Sequence, residues 1–319
     1  MPELPEVHTT AQNLNKILPG LKIKDVWSDY FSDLYEGKQQ VKNKKYFQRF
    51  KKDVVGAKVK RVLRRAKNVL IELSNGKTIL IHMKMTGHLL YGRYLLRKNS
   101  PKVGKIPENW NKEIWIPDES KESPLWDPYN RFIHITFSFS NGESLVLSDV
   151  RKFAKVAIFD SDKIFEFNDL KKIGPEPLEE SFKFLNFKRQ VLKKPNGKIK
   201  QVLMDQEIIA GIGNIYSDEI LWLVGVHPVS PVSKIPSEVL KKIFLAMKKV
   251  LKKGIDFGGD STSDYRTPDG KRGSFQYHHR AYQKTGSDCS KPKCEGKISK
   301  IKIFGRSAHF CATHQKLFS

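Results

Sequence analysis

The chain has 319 residues, 39% of them hydrophobic and 29% charged, a length and balance that suit two or three folded domains and exclude a disordered polypeptide. Lysine and arginine number 58 against 34 aspartate and glutamate, and the formal charge of +24 favours a polyanionic partner, with nucleic acid the usual one. No apolar stretch is long enough to cross a bilayer, the first residues lack the pattern of a signal peptide, and three cysteines argue against a disulfide framework, so a cytoplasmic protein with no membrane partner is expected.

The chain opens MPELPEV, which crowds Pro2, Glu3, Pro5 and Glu6 together. Val7, Leu14, Ile17 and Leu18 follow at helical spacing, so a helix starts almost at the N-terminus, with Pro5 in its first turn, where a missing N–H costs little. From there to about Phe159 the chain reads as strands. VLIELSNGKTILIHM alternates around Asn75-Gly76 and FIHITFSFSNGESLVLSD around Asn141-Gly142, both hairpin signals. In the second, Ile133, Ile135, Phe137 and Phe139 are expected on one face. Such runs suggest a β-sandwich or barrel. Residues 92–126, rich in Pro, Lys and Glu, interrupt the pattern and read as a long surface insertion.

After about Pro175 the period becomes helical. IKQVLMDQEIIAGIGNIYSDEILWLVGV reads as two apolar helices broken at GIGN. PSEVLKKIFLAMKKVLKKG places Leu240, Ile243, Phe244, Met247, Val250 and Leu251 on one face and is expected to end at Gly254. A Gly- and Ser-rich loop follows, from Asp256 to Gly273.

All three cysteines lie in the tail. Cys289 and Cys294 form a C-x4-C pair, and Cys311 and His314 a C-x2-H pair sixteen residues further on. Zinc takes four N or S ligands, and KISKIKIFGRSAHF between the pairs reads as a short hairpin. A tail this short cannot bury its own core, so one structural zinc ion held by Cys289, Cys294, Cys311 and His314 is expected, with His309 the other candidate for the fourth ligand.

Read together, MPELPEV, RRAKNVL, HMKMTGHL, SDVRKF, DQEIIAGIGNIYSDEIL and GRSAHFCATHQ resemble the formamidopyrimidine-DNA glycosylase family. The resemblance runs from Pro2 to the last residues. It implies an α+β multidomain chain: an N-terminal helix and catalytic β-sandwich over 2–165, a helix–two-turn–helix domain with a lesion-recognition loop over 175–275, and a C-terminal zinc-finger β-hairpin over 280–319. It also implies a monomer acting on double-stranded DNA that carries an oxidised base or an abasic site, with no organic cofactor.

The family pattern assigns roles by position. Removal of Met1 would leave Pro2 with a free secondary amine, and the resemblance makes it the nucleophile that attacks the sugar. Glu3 becomes the general acid that opens the sugar ring, Glu6 a second site carboxylate, and Lys67 a lysine at the lesion and its phosphate. Asn214 and Arg306 match the pair that grips flanking phosphates. Met85, Arg151 and Phe153 match the wedge that replaces an extruded base. Glu219 is weighed as a support for this site or an ordinary core-edge glutamate. Departures are His8 after Val7, Lys84 where glycine is usual before Met85, His314 for a cysteine, and a longer spacing from Cys289 to Cys294. PELPE favours the branch that acts on oxidised purines, formamidopyrimidines and 8-oxoguanine. The alternatives are a DNA-binding module without catalysis, against which Pro2, Glu3 and Lys67 speak, and a glycosylase of oxidised pyrimidines.

Overall fold

The structure, a computed structural model, describes residues 1–98 and 113–319. Two four-stranded antiparallel sheets form the N-terminal part, with strand orders β1-β8-β9-β5 and β10-β4-β3-β2. In the first sheet β1 is Ile23–Ser28, β5 His88–Gly92, β8 Ile133–Phe139 and β9 Ser144–Ser148; in the second β2 is Val59–Arg65, β3 Asn68–Leu73, β4 Lys77–His82 and β10 Lys155–Asp160. Inward residues of both sheets, such as Val69, Ile71, Ile79, Ile81, Phe137 and Leu147, share one core with Val7, Ala11 and Leu14 of helix α1, Leu4–Ile17. The Asn75-Gly76 and Asn141-Gly142 turns join β3 to β4 and β8 to β9, and both glycines take positive φ.

Four details depart from the sequence reading. The first region is not all strand: α2, Lys44–Val54, lies within it and buries Tyr46, Phe47, Phe50 and Val54, an i, i+1, i+4, i+8 stripe characteristic of a helix. Ile133 does not share the face of Ile135, Phe137 and Phe139, because the β8–β9 register shifts between Ile133 and Ile135. It joins Leu90, Tyr94, Leu125 and Val146 in a separate cluster. The third departure concerns the insertion, whose roots are structured: β6, Tyr94–Lys98, pairs with β7, Glu113–Pro117, and buried Tyr94 and Leu125 cover the outer face of β5, β8 and β9. That face carries Leu90 and Val146, so it needs a cover. The rest of the expected insertion, 99–112, lies outside the described residues.

The helical part contains α3, Phe184–Val191, α4, Ile199–Met204, α5, Asn214–Val224, and α6, Ser237–Asp256. Its core includes Phe187, Leu203, Ile220, Leu240, Ile243, Met247 and Leu251, together with Leu4 from the N-terminus. The fourth departure is that α6 continues past Gly254 to Asp256. Gly254 is a contact point rather than a helix end: a Cβ there would lie 2.6 Å from the Tyr216 ring and 2.9 Å from Pro5. The tail forms a hairpin of β11, Ile298–Ile303, and β12, Arg306–Cys311. No helix among the described residues is long and apolar enough to cross a membrane.

Candidate active site and metal centre

The N-terminus enters a corner between the sandwich and the helices. Leu4 N donates to Gly211 O (2.9 Å), and a Cβ on Gly211 would meet the Leu4 side chain at 2.7 Å. The Glu3 carboxylate reaches the start of α5 and accepts from Gly213 N (2.7 Å), Ile215 N (2.9 Å) and Tyr216 N (3.4 Å). A Cβ on Gly213 would come within 2.4 Å of that carboxylate. The two glycines of GIGN thus admit the N-terminal segment and the first residue of α1, and the free amides at the start of α5 favour an anion there.

Glu6 lies one turn on and is buried. Its Oε2 accepts from Glu3 N (2.7 Å), and its Oε1 from Tyr216 Oη (2.7 Å) and Asp260 N (2.8 Å). Burial, then the charge of Glu3, pushes its carboxyl up to about 7 despite these bonds. Lys67 reaches the corner from the β2–β3 turn, and its Nζ donates to Ile212 O (2.8 Å). Burial lowers the affinity of this ammonium for its proton, while Glu3 and Glu6 act the other way. Glu176 supports the turn: it accepts from Ala66 N (2.6 Å) and pairs with Arg64 (2.6 Å) and Arg65 (2.9 Å). Sequence reasoning missed Glu176; an acid between two prolines in GPEPL was its only signal.

Pro2 is buried beside half-buried Met1. Pro2, Met85, Ile215, Asp260, Tyr265 and Tyr282 are among the residues that line a narrow cavity of ≈ 50 Å³. Behind it, Asp260 Oδ2 and His279 Nε2 approach to 2.6 Å, both nearly buried and without a well-aligned hydrogen bond to any other described group.

Met85 sits in the β4–β5 loop, after Lys84, which holds a positive φ. On the neighbouring loop Phe153 is 45% exposed, and the Arg151 guanidinium lies 4.6 Å over its ring. Buried Asp149 ties the two loops together: it accepts from Tyr30 Oη (2.5 Å), from Ala154 N (2.7 Å) and from Thr86 Oγ1. Neither Asp149 nor His82 was singled out in the sequence. Burial, then Lys84 and Lys67, pushes the His82 imidazole down to about 3, so it is neutral at ordinary pH.

Asn214 opens α5, and its buried Oδ1 has no partner among the described residues. Arg306 is exposed at the start of β12, after the Phe304-Gly305 turn. Asp218 binds β12 to α5, accepting from His309 N (3.0 Å) and Nδ1 (2.9 Å) while pairing with Lys200 (2.5 Å). Glu219 fastens the approach to the tail by accepting from Arg280 N (2.9 Å), Ala281 N (2.9 Å) and Tyr282 N (2.8 Å).

One ligand atom each from Cys289, Cys294, Cys311 and His314 lie within 4.8 Å of one another. His314 Nε2 is 3.0 Å from Trp222 O and donates to it, which leaves Nδ1 free to face Cys289 Sγ at 3.3 Å. His309 is occupied by Asp218 and stands outside the cluster. Three thiols and an imidazole suit a metal that takes soft ligands, so this group could hold one ion.

A family profile for the formamidopyrimidine-DNA glycosylase N-terminal domain matches residues 1–156, and one for the same enzyme's H2TH domain matches residues 173–266. The Pelotomaculum thermopropionicum protein named formamidopyrimidine-DNA glycosylase is 32% identical over 317 residues, covering 99% of this chain and all of the relative. The chain belongs to the formamidopyrimidine-DNA glycosylase family. The Streptococcus thermophilus protein of that name is 33% identical, over 99% of this chain and 100% of its own. A solved complex between the Lactococcus lactis Fpg and an abasic site containing DNA has a TM-score of 0.77 at 28% identity, covering 98% of this chain and 99% of that one. A complex of a Lactococcus lactis Fpg mutant with a Fapy-dG containing DNA gives the same TM-score of 0.77.

The α+β fold class expected from the sequence is the one observed. Pro2, Glu3, Glu6, Lys67, Met85, Arg151 and Phe153 fall in the part matched by the glycosylase N-terminal profile, and Asn214 in the part matched by the H2TH profile. The Cys–His tail lies beyond both profiles, within the length covered by the full-length relatives.

Proposed function

We propose that this glycosylase is a monomeric, bifunctional enzyme of base excision repair that works in the cytoplasm on double-stranded DNA carrying an oxidised purine. It removes the base, formamidopyrimidine or 8-oxoguanine, and then cuts the strand at the abasic site. The observation that carries this reading is the meeting of Glu3, Glu6 and Lys67 in one buried corner, where they bond to Ile215 N, Asp260 N and Ile212 O beside the narrow cavity that Pro2, Ile215 and Asp260 line.

Removal of Met1 frees the Pro2 amine, and an α-amino group with a pKa near ~8 is partly neutral at cellular pH. Its nitrogen forms a bond to C1′ as the bond from C1′ to the base breaks. On bonding, the Pro2 nitrogen gives its N–H proton to the Glu3 carboxylate, which passes it to the ring oxygen, while the departing base takes a proton from water. The ring opens and the nitrogen becomes an iminium, charged without a further proton. That electron sink acidifies the 2′ carbon, and elimination of the 3′ and then the 5′ phosphate leaves a one-nucleotide gap. Glu6, bonded to the Glu3 amide and titrating near neutrality, serves proton exchange behind the nucleophile. Lys67 adds positive charge for the phosphate beside the lesion.

Base extrusion empties a place in the stack. Met85 fills it, Arg151 meets the orphaned base and Phe153 wedges the duplex open. Asn214, at a helix start, and Arg306 hold the flanking phosphates. Cys289, Cys294, Cys311 and His314 would hold one structural zinc ion, which cross-links a tail too small to fold on its own core.

Borohydride trapping tests the reading. Wild-type protein on a duplex with formamidopyrimidine or 8-oxoguanine opposite cytosine forms a covalent adduct, and Pro2→Ala forms almost none. Absence of an adduct with any oxidised-base duplex would leave a DNA-binding protein without catalysis. Adducts confined to oxidised pyrimidines would move the substrate class. Mass spectrometry with and without chelator reports Met1 removal and bound zinc together.

A further inference from the structure

Arg266 is among the largest fully buried side chains of the protein, with 2% of its surface exposed. Its guanidinium faces two ways. Nε and Nη2 form a fork on the Asp127 carboxylate, at 3.0 and 3.1 Å. Nη1 donates to Ser263 O and Tyr265 O, each at 2.9 Å. Ser263 and Tyr265 line the cavity that holds Pro2. Asp127 directly follows the insertion, at the start of the turn Pro128–Arg131, on the far side of the loop from the chemistry.

The grip is not isolated. Tyr91 N donates to Pro268 O (2.7 Å), and Gly270 lies so near Pro124 that a Cβ there would come within 2.7 Å of its backbone. The guanidinium also lies 4.8 Å over the Tyr129 ring. On the opposite side, Tyr265 Oη donates to Glu6 O (3.0 Å). The segment 263–270 is thus pinned between the catalytic helix and the insertion root.

We infer that Arg266 is a positioning residue: clamped by Asp127, it holds the Ser263–Tyr265 backbone so that the base-binding wall of the cavity is already formed before DNA arrives. The fork makes this geometry rigid, because a planar guanidinium on a carboxylate fixes direction as well as distance. The wall contacts an intact damaged base. An abasic site has no base to hold, so its cleavage depends on Pro2, Glu3 and Lys67 and not on this wall. The inference rests on the proposed function and assigns a role to the insertion root.

The test compares Arg266→Lys, Arg266→Ala and Asp127→Asn with wild type on two duplexes, one with a formamidopyrimidine and one with a preformed abasic site. Misplacing the wall lowers kcat/KM for base removal about ten- to a hundredfold in Arg266→Ala, less in Arg266→Lys and least in Asp127→Asn, whose amide still accepts one bond. Cleavage of the abasic site stays within about twofold of wild type. Backbone amides of residues 261–273 exchange hydrogen faster in the same order. Parallel loss on both duplexes, or unchanged base removal, would overturn the inference. If Arg266→Ala does not fold, the two conservative variants decide. A wild-type protein inert on both duplexes overturns the functional reading, and this inference with it.

Discussion

Around Pro2 the side chains of Glu3, Glu6 and Lys67 are at most 7% exposed, and each is held by named hydrogen bonds. On the loops of the wedge, Phe153 is 45% exposed and Arg151 touches little beyond its ring. The difference follows from what each region must do. In the proposed function the corner places charges where a reaction develops charge, and burial is what moves the proton affinities of Glu6 and Lys67. The proposed function has the wedge enter a base stack, which fits an apolar surface left uncovered on a backbone fixed through Asp149. One region holds its polar groups in place ahead of the reaction. The other leaves apolar surface uncovered, which the proposed function fills with DNA.

Substitutions can break this contrast, and the largest effect belongs to the corner. Glu3→Gln lowers base removal by ~10²–10⁴-fold, the usual worth of a general acid, while the fold survives because the amide oxygen still accepts from the start of α5. Single-turnover rates and a thermal melt read the two effects separately. Asp149→Ala comes next. It leaves the Tyr30 hydroxyl, the Thr86 hydroxyl and the Ala154 amide without their acceptor and costs about 3 kcal/mol or more, seen as a lower urea midpoint. This is the one change that joins the regions, because it loosens the wedge by removing a buried charge.

The pH dependence sharpens the contrast. Glu6 titrates at about 7 when folded against 4.5 as a free side chain, so the folded protein holds this proton more tightly than the unfolded chain. Its contribution to stability is complete below pH 4.5 and is lost as pH rises through 7, a span worth about 3 kcal/mol. Urea midpoints between pH 5 and 8 should show that slope in wild type and not in Glu6→Gln. The smallest stability effect is that of Phe153→Ala, within ~0.5 kcal/mol, because an exposed ring packs on little. Affinity for lesion DNA falls ~10-fold in the same variant, which a binding titration at fixed salt reports.

The polar and apolar pattern of the sequence makes much of this protein legible. Period-two runs around Asn-Gly turns marked the sandwich hairpins, period 3.6 marked α1 and α6, and paired Cys and His spacing marked the metal cluster. These signals are local, since each arises from neighbours a few residues apart. What escaped the reading was decided by distant residues. The shift that moves Ile133 to another face depends on its partner strand. Gly254 looked like a helix end, but Tyr216 and Pro5 demand a residue without a side chain there. The amphipathic stripe of α2 was present and was hidden only by the strands on either side.

The sequence alone determined which elements form and which residue types are available for chemistry, because propensity, periodicity and turn geometry act over short spans. Only the tertiary structure decided how those residues meet. It set Glu3 against the start of α5, placed His314 among the three cysteines and His309 against Asp218, and buried Arg266 between Asp127 and the cavity wall. Desolvation and hydrogen bonding between segments up to 259 residues apart have no local signature, so folding had to bring them together before they could act.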